Sequence, residues 1–128
     1  MKTDRQKLIK ELDDLFSSFI RQRALLRTGG CERCLSFKPS HKNLQAAHYH
    51  SRRKLTTRWN IDNAIGSCGG CHMYLDSHPV EKIAFFQNLL GPVLFNLLNI
   101  QANSIYRVDL KNTKLYLTEL LKELENDL

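Results

Sequence analysis

Apolar residues recur at helical spacing near the N-terminus. Leu8, Leu12, Leu15, Phe16, Phe19 and Ile20 form one stripe, with Lys, Arg, Asp and Glu opposite. The spacing predicts a helix over residues 4–26. Thr3 and Gln6 have capping-box spacing at its start, and Gly29-Gly30 ends it. From Cys31 to Gly70 the pattern changes: long apolar runs vanish, and His, Arg, Asn and Ser accumulate. Residues 44–49 and 63–66 read as two short strands joined by a basic loop over 51–58. Ser67 is the expected N-cap of a short helix starting near Cys68. Helical periodicity then returns. His78-Pro79-Val80-Glu81 opens a helix with Pro at its first position. That helix carries Ile83, Phe86, Leu89 and Leu90 and stops at Gly91, and Pro92 opens a further apolar segment over 93–100. The last helix is expected over 108–127, with Leu110, Leu117, Leu121, Leu124 and Leu128 on its buried face.

The chain has 128 residues, enough for one domain with a modest core that a structural metal would help to hold. Its formal net charge of +6 favours a polyanionic partner such as nucleic acid. The N-terminal MKTDRQKLIKELDD is charged from the start and has no signal-peptide pattern. No run of about 18 consecutive apolar residues occurs, so no membrane span is expected. A cytoplasmic chain keeps its thiols reduced, and Cys-x-x-Cys pairs there read as metal ligands rather than disulfides.

The four cysteines fall in two such pairs, Cys31/Cys34 and Cys68/Cys71. Each pair supplies two thiolates from one tight turn, which suits two corners of a tetrahedron around Zn²⁺ at about 2.3 Å. Four thiolates leave no position open for water, so this zinc is structural rather than catalytic. It would tie the turn before the first strand to the helix after the second, forcing a compact ββα unit. The expected fold class is therefore α+β, mainly helical. It is a single domain made of an N-terminal helix (1–29), a zinc-bound core (30–78) and C-terminal helices (79–128).

His48, Asn63 and His72 lie within and just beyond the cysteine bracket. With the segment from Ala47-His48-Tyr49 through Asp62-Asn63 to the cysteine turn, this arrangement resembles the HNH endonucleases of the ββα-metal (His-Me finger) superfamily. It further resembles phage recombination nucleases of the Rap/NinG type. The likeness covers about residues 31–79. It implies that His48 is the general base, that Asn63 orients His48 through its ring or its loop, and that His72 binds a catalytic cation, Mg²⁺ or Mn²⁺. Histidine suits the base role because its ordinary pKa of about 6.5 lies near working pH.

The chain departs from the commoner family pattern at Ala47, where many members place a metal ligand. A second ligand must come from elsewhere. Asp76 shares a helix face with His72, and His78 is the other candidate. His78 is also placed to cap the helix that starts at Pro79. His50 would share a strand face with His48 if the strand reached it. In the basic loop, Arg52, Arg53, Lys54 and Arg58 are candidates for neutralising phosphates. Trp59 is expected to pack under the hairpin.

The expected function is metal-dependent DNA cleavage in the cytoplasm of a bacterial or phage-infected cell, on branched recombination intermediates. A homodimer through the terminal helices is a further expectation. The alternative is a non-catalytic zinc module that binds nucleic acid or protein.

Overall fold

The computed structural model describes residues 1–127; Leu128, expected on the buried face of the last helix, lies outside the described residues. Helix α1 spans Asp4–Thr28. Its capping box forms as the spacing predicts: the Gln6 N–H donates to the Thr3 hydroxyl at 3.1 Å, and the Thr3 N–H donates to the Gln6 side chain at 2.9 Å. The helix ends at Gly29, whose N–H reaches the Leu25 carbonyl.

Strands β1 (Gln45–His48) and β2 (Ala64–Ser67) pair antiparallel, with Gln45 opposite Ser67 and His48 opposite Ala64. β1 is shorter than the expected 44–49, and β2 has the expected length but starts one residue later than 63–66. Asn63 closes a 3-10 turn, Ile61–Asn63, just before β2. The basic segment is not all loop either, because Leu55–Arg58 forms one helical turn, α2. Helix α3 spans Gly69–Ser77, and its N-cap is Cys68 rather than Ser67. The reason is local. The Cys68 sulfur accepts from the Cys71 N–H at 3.4 Å, while Ser67 is held in β2 opposite Gln45.

Helix α4 spans Pro79–Ala102 and breaks at Gly91 (φ 78°, ψ 168°). Residues with a Cβ rarely adopt that conformation, and Pro92 then restarts the helix. His78 precedes Pro79 but makes no side-chain capping bond. By length and composition alone α4 is apolar enough to cross a membrane, although it holds no unbroken apolar run of that length. Yet Phe86, Phe95, Leu98 and Ala102 on it are buried within the protein. Helix α5 spans Leu110–Asn126. It starts later than the periodicity implied, because the Asp109 carboxylate caps it by accepting from the Asn112 N–H.

The small sheet is covered on both faces. Side chains alternate along a strand, so Ala64 joins Leu12, Phe16, Phe19, Ile20, Trp59 and Leu117 on the α1–α5 side. Ile65 and Ala47 join Leu75, Phe86 and Phe95 on the α3–α4 side. Burial of a side chain such as Leu12 or Phe16, both essentially inaccessible, contributes about 1.5–3 kcal/mol. Gly66 allows β2 to lie against α1, since a Cβ there would stand 2.5 Å from that of Ala24. Trp59 is buried in this core, as expected.

Candidate functional site

The four cysteine sulfurs lie within 4.8 Å of one another, and none is in a disulfide. Tetrahedral Zn–S bonds of about 2.3 Å would place sulfurs about 3.8 Å apart. Cys34 and Cys68 are 3.9 Å apart. Backbone amides support the sulfurs: the Cys34 N–H points at Cys31 Sγ (3.5 Å) and the Cys71 N–H at Cys68 Sγ (3.4 Å). The cluster is thus positioned to hold a metal ion. Burial pushes the Cys71 thiol up to about 12, while hydrogen bonding to Ser36 pulls Cys34 down to about 6. A bound cation would let all four ionise together. The cluster packs on Ala24 and Leu44, which anchors the ββα unit to α1.

Beside it runs a cleft of about 790 Å³. His48, His72 and Asp76 line it, together with Arg52 and Lys82. Strand β1 carries His48 on the α1 side, where its ring lies 5.3 Å from that of Phe16. Nε2 of His48 lies 3.1 Å from the Arg58 carbonyl oxygen. A carbonyl only accepts, so Nε2 carries the proton and Nδ1 keeps a free lone pair. Burial lowers the His48 pKa below its ordinary value, more than the Arg58 hydrogen bond raises it. The ring is therefore neutral at pH 7.

Asn63 is fully buried, and its side-chain hydrogen bonds go to the His50 backbone rather than to the His48 ring. Its Oδ1 accepts from the His50 N–H (2.9 Å), and its Nδ2 donates to the His50 carbonyl (3.1 Å). Its own carbonyl accepts from the Tyr49 N–H at 2.7 Å. These three bonds pin the loop that leaves His48. The strand does not continue to His50, whose ring instead meets Asn99 on α4 at 2.9 Å.

On α3, His72 and Asp76 pair through Nε2 and Oδ2 at 3.3 Å. Two ligands at adjacent corners of an octahedral cation with bonds near 2.1 Å stand about 3 Å apart, so these two side chains, which pair with each other here, are residues that could hold an ion. Gln45 holds Nδ1 of His72 at 2.8 Å, and Lys82 binds the other Asp76 oxygen at 2.9 Å. His78 is placed differently. Its ring stacks on Tyr74 at 4.0 Å, its Nδ1 lies 2.8 Å from the Tyr74 carbonyl, and it does not line the cleft. Ala47 lies in the apolar cluster packed against α3 and α4, so its position faces the core and not the cleft.

The basic residues also separate. Arg58 is committed to Asp13, through Nε at 3.0 Å and Nη2 at 2.6 Å, so its guanidinium is structural. Arg52 lies 3.7 Å from the same carboxylate and lines the cleft. Arg53 and Lys54 are exposed and outside its lining. Asp13 also accepts from the Trp59 indole N–H at 2.9 Å. Burial pushes the Asp13 carboxyl up, but these hydrogen bonds and cations outweigh it and hold it below its ordinary value.

Asp13, Gln45 and Lys82 were not foreseen as site residues. Asp13 borders the apolar stripe of α1, and nothing local marks its long-range partners. Comparison with protein-family models, curated proteins and solved structures found no match for this chain.

Proposed function

We infer that this chain is a metal-dependent DNA endonuclease of the HNH type. One observation carries the reading: a single cleft gathers His48, with Nδ1 unprotonated, the His72–Asp76 pair, and the cations Arg52 and Lys82. The resemblance at His48, Asn63 and His72 supplies the roles. His48 Nδ1 takes a proton from water, the water oxygen attacks phosphorus, and the bond to the 3′ oxygen breaks. Arg52 neutralises phosphate, Asn63 fixes the loop after His48, and Lys82 and Gln45 hold Asp76 and His72 in place. A divalent cation such as Mg²⁺ or Mn²⁺, bound by His72 and Asp76, would supply Lewis-acid stabilisation of the phosphate and the leaving oxygen. In the cysteine cluster the metal is Zn²⁺, in a structural role. Branched recombination intermediates remain the proposed substrate, and the cytoplasm of a bacterial or phage-infected cell the proposed setting, both on the strength of the resemblance.

The test is cleavage of duplex, single-stranded and four-way-junction DNA in Mg²⁺, Mn²⁺ and Ni²⁺. His48→Ala is expected to lower kcat by about 100-fold or more while keeping one tight zinc per chain. In metal analysis, His72→Ala is expected to lose a second, weaker ion. A His48→Ala chain that cuts at the wild-type rate sinks the reading. Salt-sensitive DNA binding with no cleavage in any of the three ions would favour the non-catalytic module, to which the buried Ala47 lends weight.

A further inference from the structure

From Ile83 through Tyr106 the chain holds no Asp, Glu, Lys or Arg. Most of this stretch is α4, and only part of the helix is covered. Beyond the Gly91 break, Phe95, Leu98 and Ala102 face inward. The opposite side carries Val93, Leu94, Leu97 and Ile100, spaced as one helical stripe. These four are 68%, 45%, 55% and 63% exposed. Leu89, also exposed, lies beside Leu94 where both border a small cleft with Arg23 and Arg27. With Leu89 the stripe leaves on the order of 500 Å² of apolar surface open, as large as the biggest patch on a typical monomer.

We propose that this face of α4 is a homodimer interface, closed by the same face of a second copy. Two physical features select a second copy. The first is area: a standard interface takes about 800 Å² from each partner, and the stripe alone supplies more than half of that, with Pro92 and Asn96 exposed beside it. The second is charge. A two-fold axis sets the same patch against itself, and the stripe from Val93 to Ile100 brings no charged side chain to that contact; Arg23 and Arg27 flank it only beside Leu89 and Leu94. The exposed face of α5 is a poorer candidate, because Lys111, Lys114, Glu119, Lys122 and Glu123 surround its exposed Leu115 and Tyr116. The proposal stands independently of catalysis, but it bears on the cleft. The first half of α4 carries Lys82 and the second half would be held by the partner, so dimerisation would steady the helix that borders the site.

Sedimentation equilibrium and light scattering on the full zinc-loaded chain test it. The wild type is expected to be a dimer at micromolar concentration. Leu97→Glu with Ile100→Glu should raise the dissociation constant by about 100-fold or more. Val93→Lys should weaken it separately, and Leu115→Glu on α5 should leave it unchanged. All these side chains are exposed, and unaltered circular dichroism and zinc content check that each variant folds. A wild type that stays monomeric to about 100 μM overturns the proposal. So does a dimer that survives the double substitution or dissociates with Leu115→Glu. Binding of a monomeric wild type to phosphatidylcholine vesicles, lost in the double variant, overturns it in favour of a lipid surface.

Discussion

Asp13 holds the proposed base, His48, without touching it. Its carboxylate binds the guanidinium of Arg58, 45 positions away, and the indole of Trp59. The Arg58 carbonyl then accepts the His48 Nε2–H and so selects the tautomer. Asp13→Asn is expected to cost about 1–2 kcal/mol in urea denaturation. It should also lower kcat of cleavage about 10-fold with KM little changed, and ¹⁵N shifts of the His48 ring should show mixed tautomers. An unchanged kcat and a single tautomer would remove Asp13 from this role. His48 sets a pH dependence of known sign. Its pKa in the folded chain lies below 6.5 because burial disfavours the charged ring. The acidic limb of kcat/KM should therefore fall below pH 6.5, with a plateau at neutral pH. The unfolded chain takes up this proton first, so the contribution of His48 to stability declines as pH drops through 6.5. A limb centred above pH 6.5 would contradict the assignment. The sequence singled out His48, because a histidine in this motif is a local signal. Asp13 it left unmarked, because its partners are brought in by tertiary packing.

The helices were readable from periodicity and caps, since both arise from residues within a turn or two of each other. The capping box at Thr3, the stop at Gly29 and the break at Gly91 all sit where the residues predicted them. The errors gather in the polar core. Ser67 has the side chain of an N-cap but is held in β2, and Cys68 takes the position because its sulfur already faces the Cys71 amide. The one-turn helix α2 was hidden in a run of cations and threonines with no apolar period. Gly66 is a packing requirement that a strand pattern does not announce. Gly66→Ala would press a methyl group into Ala24 on α1, at an expected cost of about 1–3 kcal/mol. Chemical denaturation measures that loss. Wild-type stability in this variant would mean that α1 and β2 can part enough to admit a methyl group that would otherwise stand 2.5 Å from the Ala24 Cβ.

The hairpin is clamped between α1–α5 on one side and α3–α4 on the other, and the cleft opens along the edge where α1, β1, α3 and the start of α4 meet. No one segment builds this arrangement. Sequence alone determined the helices, the two Cys-x-x-Cys turns and the histidine candidates, because each depends on side-chain type and short spacing. It also implied the basic charge. Tertiary structure decided which candidates meet. It brought the two cysteine pairs within reach of one ion, and it set the locally formed His72–Asp76 pair in the same cleft as His48. It removed His78 to Tyr74, withdrew Arg58 into an ion pair and buried Ala47 in the core. It also left one face of α4 open, although that helix is apolar on nearly every side. The division has a physical cause. A helix cap or a metal-binding turn is a local contest that its own few residues settle. A cleft, an ion pair across 45 residues or an uncovered face depends on where distant elements come to rest.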